Sequence, residues 1–178
     1  MGTKLAVLAL SALLAVSAPV ATASAAPTSA ARSAISATAP SATDRAERAG
    51  RAAVERKVVR LTNKKRKAHD CEPLKLRKSI RKAARKHSER MADAGELDHQ
   101  LPGEPDVGER LEDAGYDNWT SWGENIARGY PTPKAVVKAW MDSPDHRANI
   151  LDCDFEHIGV GMVSGDGTKW WTQDFGSN

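Results

Sequence analysis

Apolar residues recur every three or four positions along the first half of the chain, and this spacing predicts two amphipathic helices. The first extends from Asp44 to about Ala68, and the second extends from about Leu76 to a stop at Gly95. Lys and Arg residues surround the apolar face of each helix, so both are predicted to be basic. The apolar faces are formed by Val54, Val58, Leu61, Leu76, Ile80, Ala83, Ala84, His87 and Met91.

Shorter patterns in the second half predict three more helices and a β-hairpin. The helices are expected at about 105–114, from 132 to the break at Ser143-Pro144-Asp145, and from that break through 150. Two apolar runs, 158–163 and 168–175, flank a turn-rich tetrapeptide and predict the hairpin. Helices followed by strands, with no internal repeat, indicate an α+β fold in which helices cover an antiparallel sheet.

One histidine and three tryptophans on these elements could belong either to the core or to a functional site. His87 lies on an apolar helical face, which favours a hydrogen-bonded histidine at the edge of the core over a functional one. Trp140 is predicted to be in the core. Trp170 and Trp171 are neighbours in a strand and point to opposite faces, so one is predicted to be buried and the other to line a cleft.

The N-terminal pattern predicts export. Residues 1–25 contain one lysine, an apolar run and a terminal Ala-Ser-Ala, as in a secretory signal peptide. Residues 26–43 are rich in Ala, Ser, Thr and Pro and are expected to form a disordered tether. Residues 44–178 then form one domain, expected to be a secreted, extracellular monomer.

Charge is segregated along the chain. The segment 44–90 has 18 Lys and Arg against 6 Asp and Glu, a net +12, whereas 91–178 has 6 against 17, a net −11. This asymmetry suggests a surface for an anionic cell-envelope polymer on the basic helices. The alternative is that two basic helices simply pack against an acidic remainder. Nucleic acid is not an expected partner, because the basic segment has no aromatic residues for base stacking.

The chain has two cysteines, Cys71 and Cys153. An even count in an exported protein favours a disulfide, and closing a loop of about 80 residues would contribute about 4 kcal/mol in the chain-entropy model. A zinc site built from these two thiols is the weaker alternative, because neither belongs to a Cys-x-x-Cys pair.

Three residues have the chemistry of a site: His99, Glu124 in Gly-Glu-Asn, and His146 in Ser-Pro-Asp-His-Arg. Two imidazoles and a carboxylate suit a divalent metal such as Zn²⁺, although the spacing is not that of a local metal motif. Gly123 is expected to bend the backbone in front of Glu124. Glu124 could instead be a structural bridge that ties two histidine-bearing loops together.

Several motifs, taken in order, resemble the CAP superfamily of cysteine-rich secretory, antigen 5 and pathogenesis-related proteins, and its bacterial secreted branch in particular. The resemblance covers about 54–178. Its motifs are His87–Met91, His99, Gly123–Asn125, Ala139–Met141, Ser143–Arg147, Ile158–Gly161 and Trp170–Gly176.

The resemblance implies a three-layer α-β-α sandwich with a central antiparallel sheet and a cleft that gathers two histidines and two acids. His99, Glu124 and His146 match three of these positions, and Asn125 and Asp145 are expected beside them. The fourth position, the second acid, has no matching glutamate in this chain. Asp142, Asp145 or neither could replace it.

Two functions follow from the resemblance. The first is a secreted binding module whose cleft takes a small or lipid-like ligand, and the second is a metal-dependent hydrolase with Glu124 as general base. The first is favoured, because no serine or cysteine has the context of an activated nucleophile and the enzyme would depend on a metal.

Overall fold

The computed structural model describes residues 39–178, which form one compact unit. The predicted signal peptide, and the predicted tether up to residue 38, lie outside the described residues. No helix in the described part of the chain is long and apolar enough to cross a membrane. The helices are α1 (Ala42–Lys67), α2 (Lys78–Ala94), α3 (Val107–Asp113), α4 (Pro133–Asp142) and α5 (Pro144–Leu151), and the strands are β1 (Lys75–Leu76), β2 (Ser121–Arg128), β3 (His157–Gly165) and β4 (Thr168–Ser177).

Helix α1 begins two residues earlier than predicted, inside the segment assigned to the tether. Ser41 is its N-cap: the Ser41 hydroxyl accepts from the backbone N–H of Asp44, and the Asp44 carboxylate accepts from the N–H of Ser41. This reciprocal pair satisfies two backbone donors that the first turn would otherwise leave unpaired. A local cap therefore sets the start of the helix.

The sheet has the order β1-β3-β4-β2, antiparallel except for the two-residue parallel strand β1. Helix α2 packs on one face of the sheet with α3 against it, and α1, α4 and α5 cover the other face. The predicted three-layer α-β-α sandwich is confirmed. The hairpin of β3 and β4 and all five helices were predicted, whereas β1 and β2 were not.

Strand β2 replaces the bend expected at Gly123. The segment from Ser121 to Arg128 pairs with β4 along its whole length, so Gly123 lies in an extended strand. A Cβ at Gly123 would lie 2.9 Å from the Phe155 ring. The absence of a side chain at this position therefore allows Phe155 to approach closely, and the expected bend is wrong.

The disulfide between Cys71 and Cys153 is confirmed. It joins the chain just after α1 to the chain just after α5, and the two cysteines are 82 positions apart in sequence with their Cα atoms 5.0 Å apart. The expectation for the tryptophans is only half right. Trp140 is buried, but Trp170 and Trp171 are both fully buried, so neither lines a cleft.

Candidate functional site

Glu124 lies in β2 with its side chain 1% exposed, directed to the face of the sheet that α2 covers. Nδ1 of His99 lies 2.7 Å from Oε1 of Glu124. The Arg110 guanidinium donates from Nη2 to Oε2 over 2.7 Å. Both oxygens of this buried carboxylate are therefore engaged by nitrogen groups from two different segments, the loop after α2 and helix α3.

Asp174 of β4 is the residue directly opposite Glu124 in the sheet, and Oδ1 of its buried carboxyl has no hydrogen-bond partner among residues 39–178. Burial, followed by the charge of Glu124, raises the pKa of Asp174 well above its usual range. Burial also raises the pKa of Glu124, to about 7, although the charge of Arg110 lowers it. Two buried carboxyl groups at facing positions resist carrying two negative charges, so the pair favours retaining a proton.

Asp174 is thus the second acid in contact with Glu124. Asp142 lies on the exposed surface of α4 in an ion pair with Lys138, and Asp145 is exposed in the first turn of α5. The sequence left Asp142, Asp145 or neither as the second acid of the cleft, and the structure agrees with neither. Alternation of side chains along β4 could have shown that Asp174 lies on the same face as Thr172. The pairing of β4 with β2 then places that face beside Glu124.

His87 and Glu104 form a second buried pair next to Glu124. Burial, and then the charge of Arg110, lowers the pKa of His87 to about 4, so its imidazole is neutral at pH 7. Nδ1 of His87 lies 3.0 Å from Oε2 of Glu104, and Nε2 lies 3.8 Å from Oε2 of Glu124. His87 is hydrogen-bonded in the interior as predicted, and it also forms one wall around Glu124.

His99 and His146 differ in their relation to Glu124. His99 touches the carboxylate while 54% of its side chain remains exposed, and burial, followed by the charge of Arg110, lowers its pKa. His146 lies in α5, where burial and then the charge of His99 lower its pKa. The two rings are therefore within electrostatic reach of each other, but only His99 is in the contact network of Glu124.

Asn125 supports the site from the opposite face of the sheet. It is fully buried, and its Nδ2 donates to the backbone carbonyl of His146 and to Oε1 of Gln173. Its Oδ1 accepts from Asn149, whose amide also donates to the carbonyl of Glu124. Asn125 therefore fixes α5 on β2 and has no free group to offer a ligand, contrary to the expectation that it lies in the cleft.

The arrangement does not fit a three-ligand zinc site. Within residues 39–178, no group of three or more His, Cys, Asp or Glu side chains could hold a metal ion. A cation bound to Glu124 would face the Arg110 guanidinium at Oε2, and His146 would have to join from outside the contact network. The predicted set of His99, Glu124 and His146 is only partly assembled.

An open cleft of about 410 Å³ lies over Glu124, and Trp122 forms its aromatic wall. Trp122 is 39% exposed and contacts Trp119 edge-to-face, with the ring centroids 6.5 Å apart. Trp122 and Glu124 are two positions apart in β2, so they share a face of the strand. The cleft is lined by His99, Gln100, Asp106, Val107, Trp122, Gly123, Glu124 and Asn149.

The sequence of this chain matches a family of known proteins. The sequence profile of the CAP family, the cysteine-rich secretory protein family, matches residues 59–175. This chain belongs to the CAP family. The match covers α2, the whole of β2 and nearly all of the hairpin, so every residue in contact with Glu124 lies inside it.

Two curated relatives come from Bacillus subtilis (strain 168). The uncharacterized protein YkwD is 44% identical over 124 residues, which are 70% of this chain and 47% of that protein. The uncharacterized membrane protein YlbC is 32% identical over 121 residues, which are 68% of this chain and 34% of that protein. The chain thus spans less than half the length of either relative.

Solved structures share this fold. An extracellular protein with an SCP domain from Bacillus anthracis superposes with a TM-score of 0.70 at 27% identity, covering 79% of this chain and 45% of that one. An outer surface protein from Borrelia burgdorferi gives a TM-score of 0.63 at 20% identity, covering 68% of this chain and 90% of that one. The second likeness concerns the fold alone.

The raised pKa of Glu124 predicts a stability difference that depends on pH. The folded-state pKa of about 7 exceeds the ordinary value of 4.5, so the folded protein holds more protons than the unfolded chain between these values. Stability from this proton is complete below pH 4.5 and is lost as the pH rises through 7. Relative to Glu124→Gln, the wild type should therefore become less stable over this interval in urea unfolding.

The control for this measurement is Glu112→Gln, which makes the same charge change on an exposed position of α3. Histidines titrate in every variant, so their contributions largely cancel in the difference. A difference between wild type and Glu124→Gln that stays flat or rises with pH would contradict a protonated Glu124.

Proposed function

We propose that this CAP domain is an exported binding module whose cleft takes a small ligand with one apolar face and several hydrogen-bonding groups, such as a saccharide ring. The observation that carries the proposal is a half-exposed Trp122 beside a row of hydrogen-bonding side chains. Export is supported by the signal-like N-terminal pattern, by the disulfide, and by relatives described as extracellular or outer-surface proteins.

The cleft offers both kinds of contact that such a ligand needs. Trp122 presents a flat apolar surface, while Gln100, Asp106 and Asn149 present amide and carboxylate groups around it. Glu124 lies at the floor, and His99 lies beside it with its ring half in solvent. With a pKa of about 7, Glu124 can act as a donor or an acceptor near neutral pH, and the lowered pKa of His99 favours its neutral ring, which has one donor and one acceptor nitrogen.

The cleft favours a ring over a long acyl chain. It is open to solvent, whereas a lipid tail requires an enclosed apolar channel. A metal-dependent hydrolase is also less favoured, because the Arg110 cation is hydrogen-bonded to the same carboxylate that would have to bind the metal. Glu124 is well suited in pKa to act as a base, but within residues 39–178 no group of three or more metal-binding side chains could hold an ion to activate water.

The proposal is tested by titrating soluble oligosaccharides of N-acetylglucosamine, glucose and galactose into the full chain and following tryptophan fluorescence. Saturable binding of at least one oligosaccharide is expected, weakened at least tenfold by Trp122→Ala because the stacking surface is lost. Tyr130→Ala is the matched control, since Tyr130 is 37% exposed and lies outside the cleft.

Three results would count against the proposal. The first is that no oligosaccharide binds, and the second is that Tyr130→Ala weakens binding as much as Trp122→Ala does. The third is that monomeric short-chain phosphatidylcholine binds in a Trp122-dependent manner while the sugars do not, which would assign the cleft to a lipid-like ligand.

A further inference from the structure

A second, smaller cavity lies between α2 and α3, separate from the cleft over Glu124. Its volume is about 70 Å³, enough for a few water molecules or one small anion. It is lined by Lys82, Ala83, Lys86, Arg90, Glu104, Pro105, Arg110, Asp113 and Ala114. Four cationic side chains against two acidic ones give this small space a net excess of two positive charges.

Arg110 at the base of this cavity has an unused donor. Its side chain is only 7% exposed, and Nη2 is held by Glu124, as described above. Nη1 has no hydrogen-bond partner among residues 39–178, although it lies 3.4 Å from Oε1 of Glu104. A buried charged donor without a hydrogen-bond acceptor is costly, so an anion that accepts from Nη1 would supply the hydrogen bond that the ion pair with Glu104 does not.

Exposed lysine side chains line the opening of the cavity. Lys82 and Lys86 are exposed, lie one turn apart on α2, and are free of ion pairs within residues 39–178. Lys78 and Arg81 extend the same basic surface of α2. Their summed field would concentrate anions at the opening, and flexible ammonium groups can close over a phosphate from several directions.

We infer that the cavity between α2 and α3 binds a single phosphate group, with Arg110 Nη1 at its base and Lys82 and Lys86 at its mouth. The sequence predicted an anion-binding surface somewhere on the basic helices, and this site assigns that binding to one cavity. It does not depend on the ligand proposed for the cleft, because it uses the other terminal nitrogen of the Arg110 guanidinium.

The test is a titration of inorganic phosphate into the full chain at constant ionic strength, followed by the NMR shifts of the Arg110 side chain and by calorimetry. Saturable binding is expected, weakened at least tenfold in Lys82→Ala/Lys86→Ala because two charge-assisted hydrogen bonds are lost. The matched control is Lys64→Ala/Lys67→Ala, which removes two exposed lysines from α1 and should leave binding unchanged.

Two further probes identify the source of the phosphate group. Glycerol 3-phosphate tests a soluble phosphate ester, and vesicles of phosphatidylglycerol and phosphatidylcholine test a lipid headgroup. Binding of either probe that depends on Lys82 and Lys86, but not on Lys64 and Lys67, supports the site and identifies the molecule that carries the phosphate group. No saturable phosphate binding, or equal losses in both double variants, would overturn it and leave only general attraction to a basic surface.

Discussion

Replacing Arg66 with methionine should lower the free energy of unfolding by about 3 to 5 kcal/mol. Arg66 is fully buried near the C-terminal end of α1, and every group that accepts from it is a backbone carbonyl. Its guanidinium donates to the carbonyls of Glu72, Ile150, Asp152 and Phe155. Methionine fills most of the same volume but leaves four carbonyls without this donor.

The loss should also reach the candidate site. Two of the four carbonyls, those of Ile150 and Asp152, lie at the C-terminal end of α5, the helix that carries His146 and Asn149. Arg66 and the disulfide therefore hold the same junction between α1, α5 and the start of β3. Without Arg66, we expect α5 to move relative to β2 and the amide contacts of Asn149 to weaken.

Urea unfolding of the oxidised protein measures this effect, with Arg60→Met as the matched control. Arg60 is exposed on the same helix, so its replacement should change stability by no more than about 0.5 kcal/mol. Equal losses in the two variants would show that the positive charge of α1, and not the four carbonyl contacts, is what stabilises the fold.

Gly159→Ala should destabilise the protein by about 3 kcal/mol or more. A Cβ at this position of β3 would overlap the backbone of Ile80 and Arg81 in α2, and Gly161 faces the backbone of Ala84 in the same way. Because the obstacle is main chain and not a flexible side chain, the whole helix would have to shift away from the sheet. These two glycines let α2 lie directly on β3.

A displaced α2 should disturb the contacts of Glu124 as well. His87 is on α2, and its 3.8 Å approach to Glu124 requires the helix to stay close to the sheet. Thermal unfolding gives the stability change, and the NMR shifts of the His87 ring report the disturbance. The control is Gly50→Ala, an exposed helical position with open space around its Cβ, which should stabilise by up to about 1 kcal/mol. Gly159→Ala with wild-type stability would refute the proposed close contact.

The sequence by itself determined the elements whose signals are local. Apolar periodicity predicted α1 and α2 because one face of each helix must be buried, and Thr132-Pro133 marked the start of α4 through its cap. The cysteine count predicted the disulfide. The motifs predicted the three-layer fold and brought His99 and Glu124 forward as partners, which the 2.7 Å contact agrees with.

Only the tertiary structure decided which groups complete the site. Asp174 meets Glu124 because β4 pairs with β2 in one particular register, and Arg110 reaches the same carboxylate because α3 docks on α2. Neither contact has a signature in the sequence near Glu124, since strand pairing and helix docking are set by distant apolar residues. The pKa of Glu124 follows from its burial among these groups, so it too is a property of the folded chain.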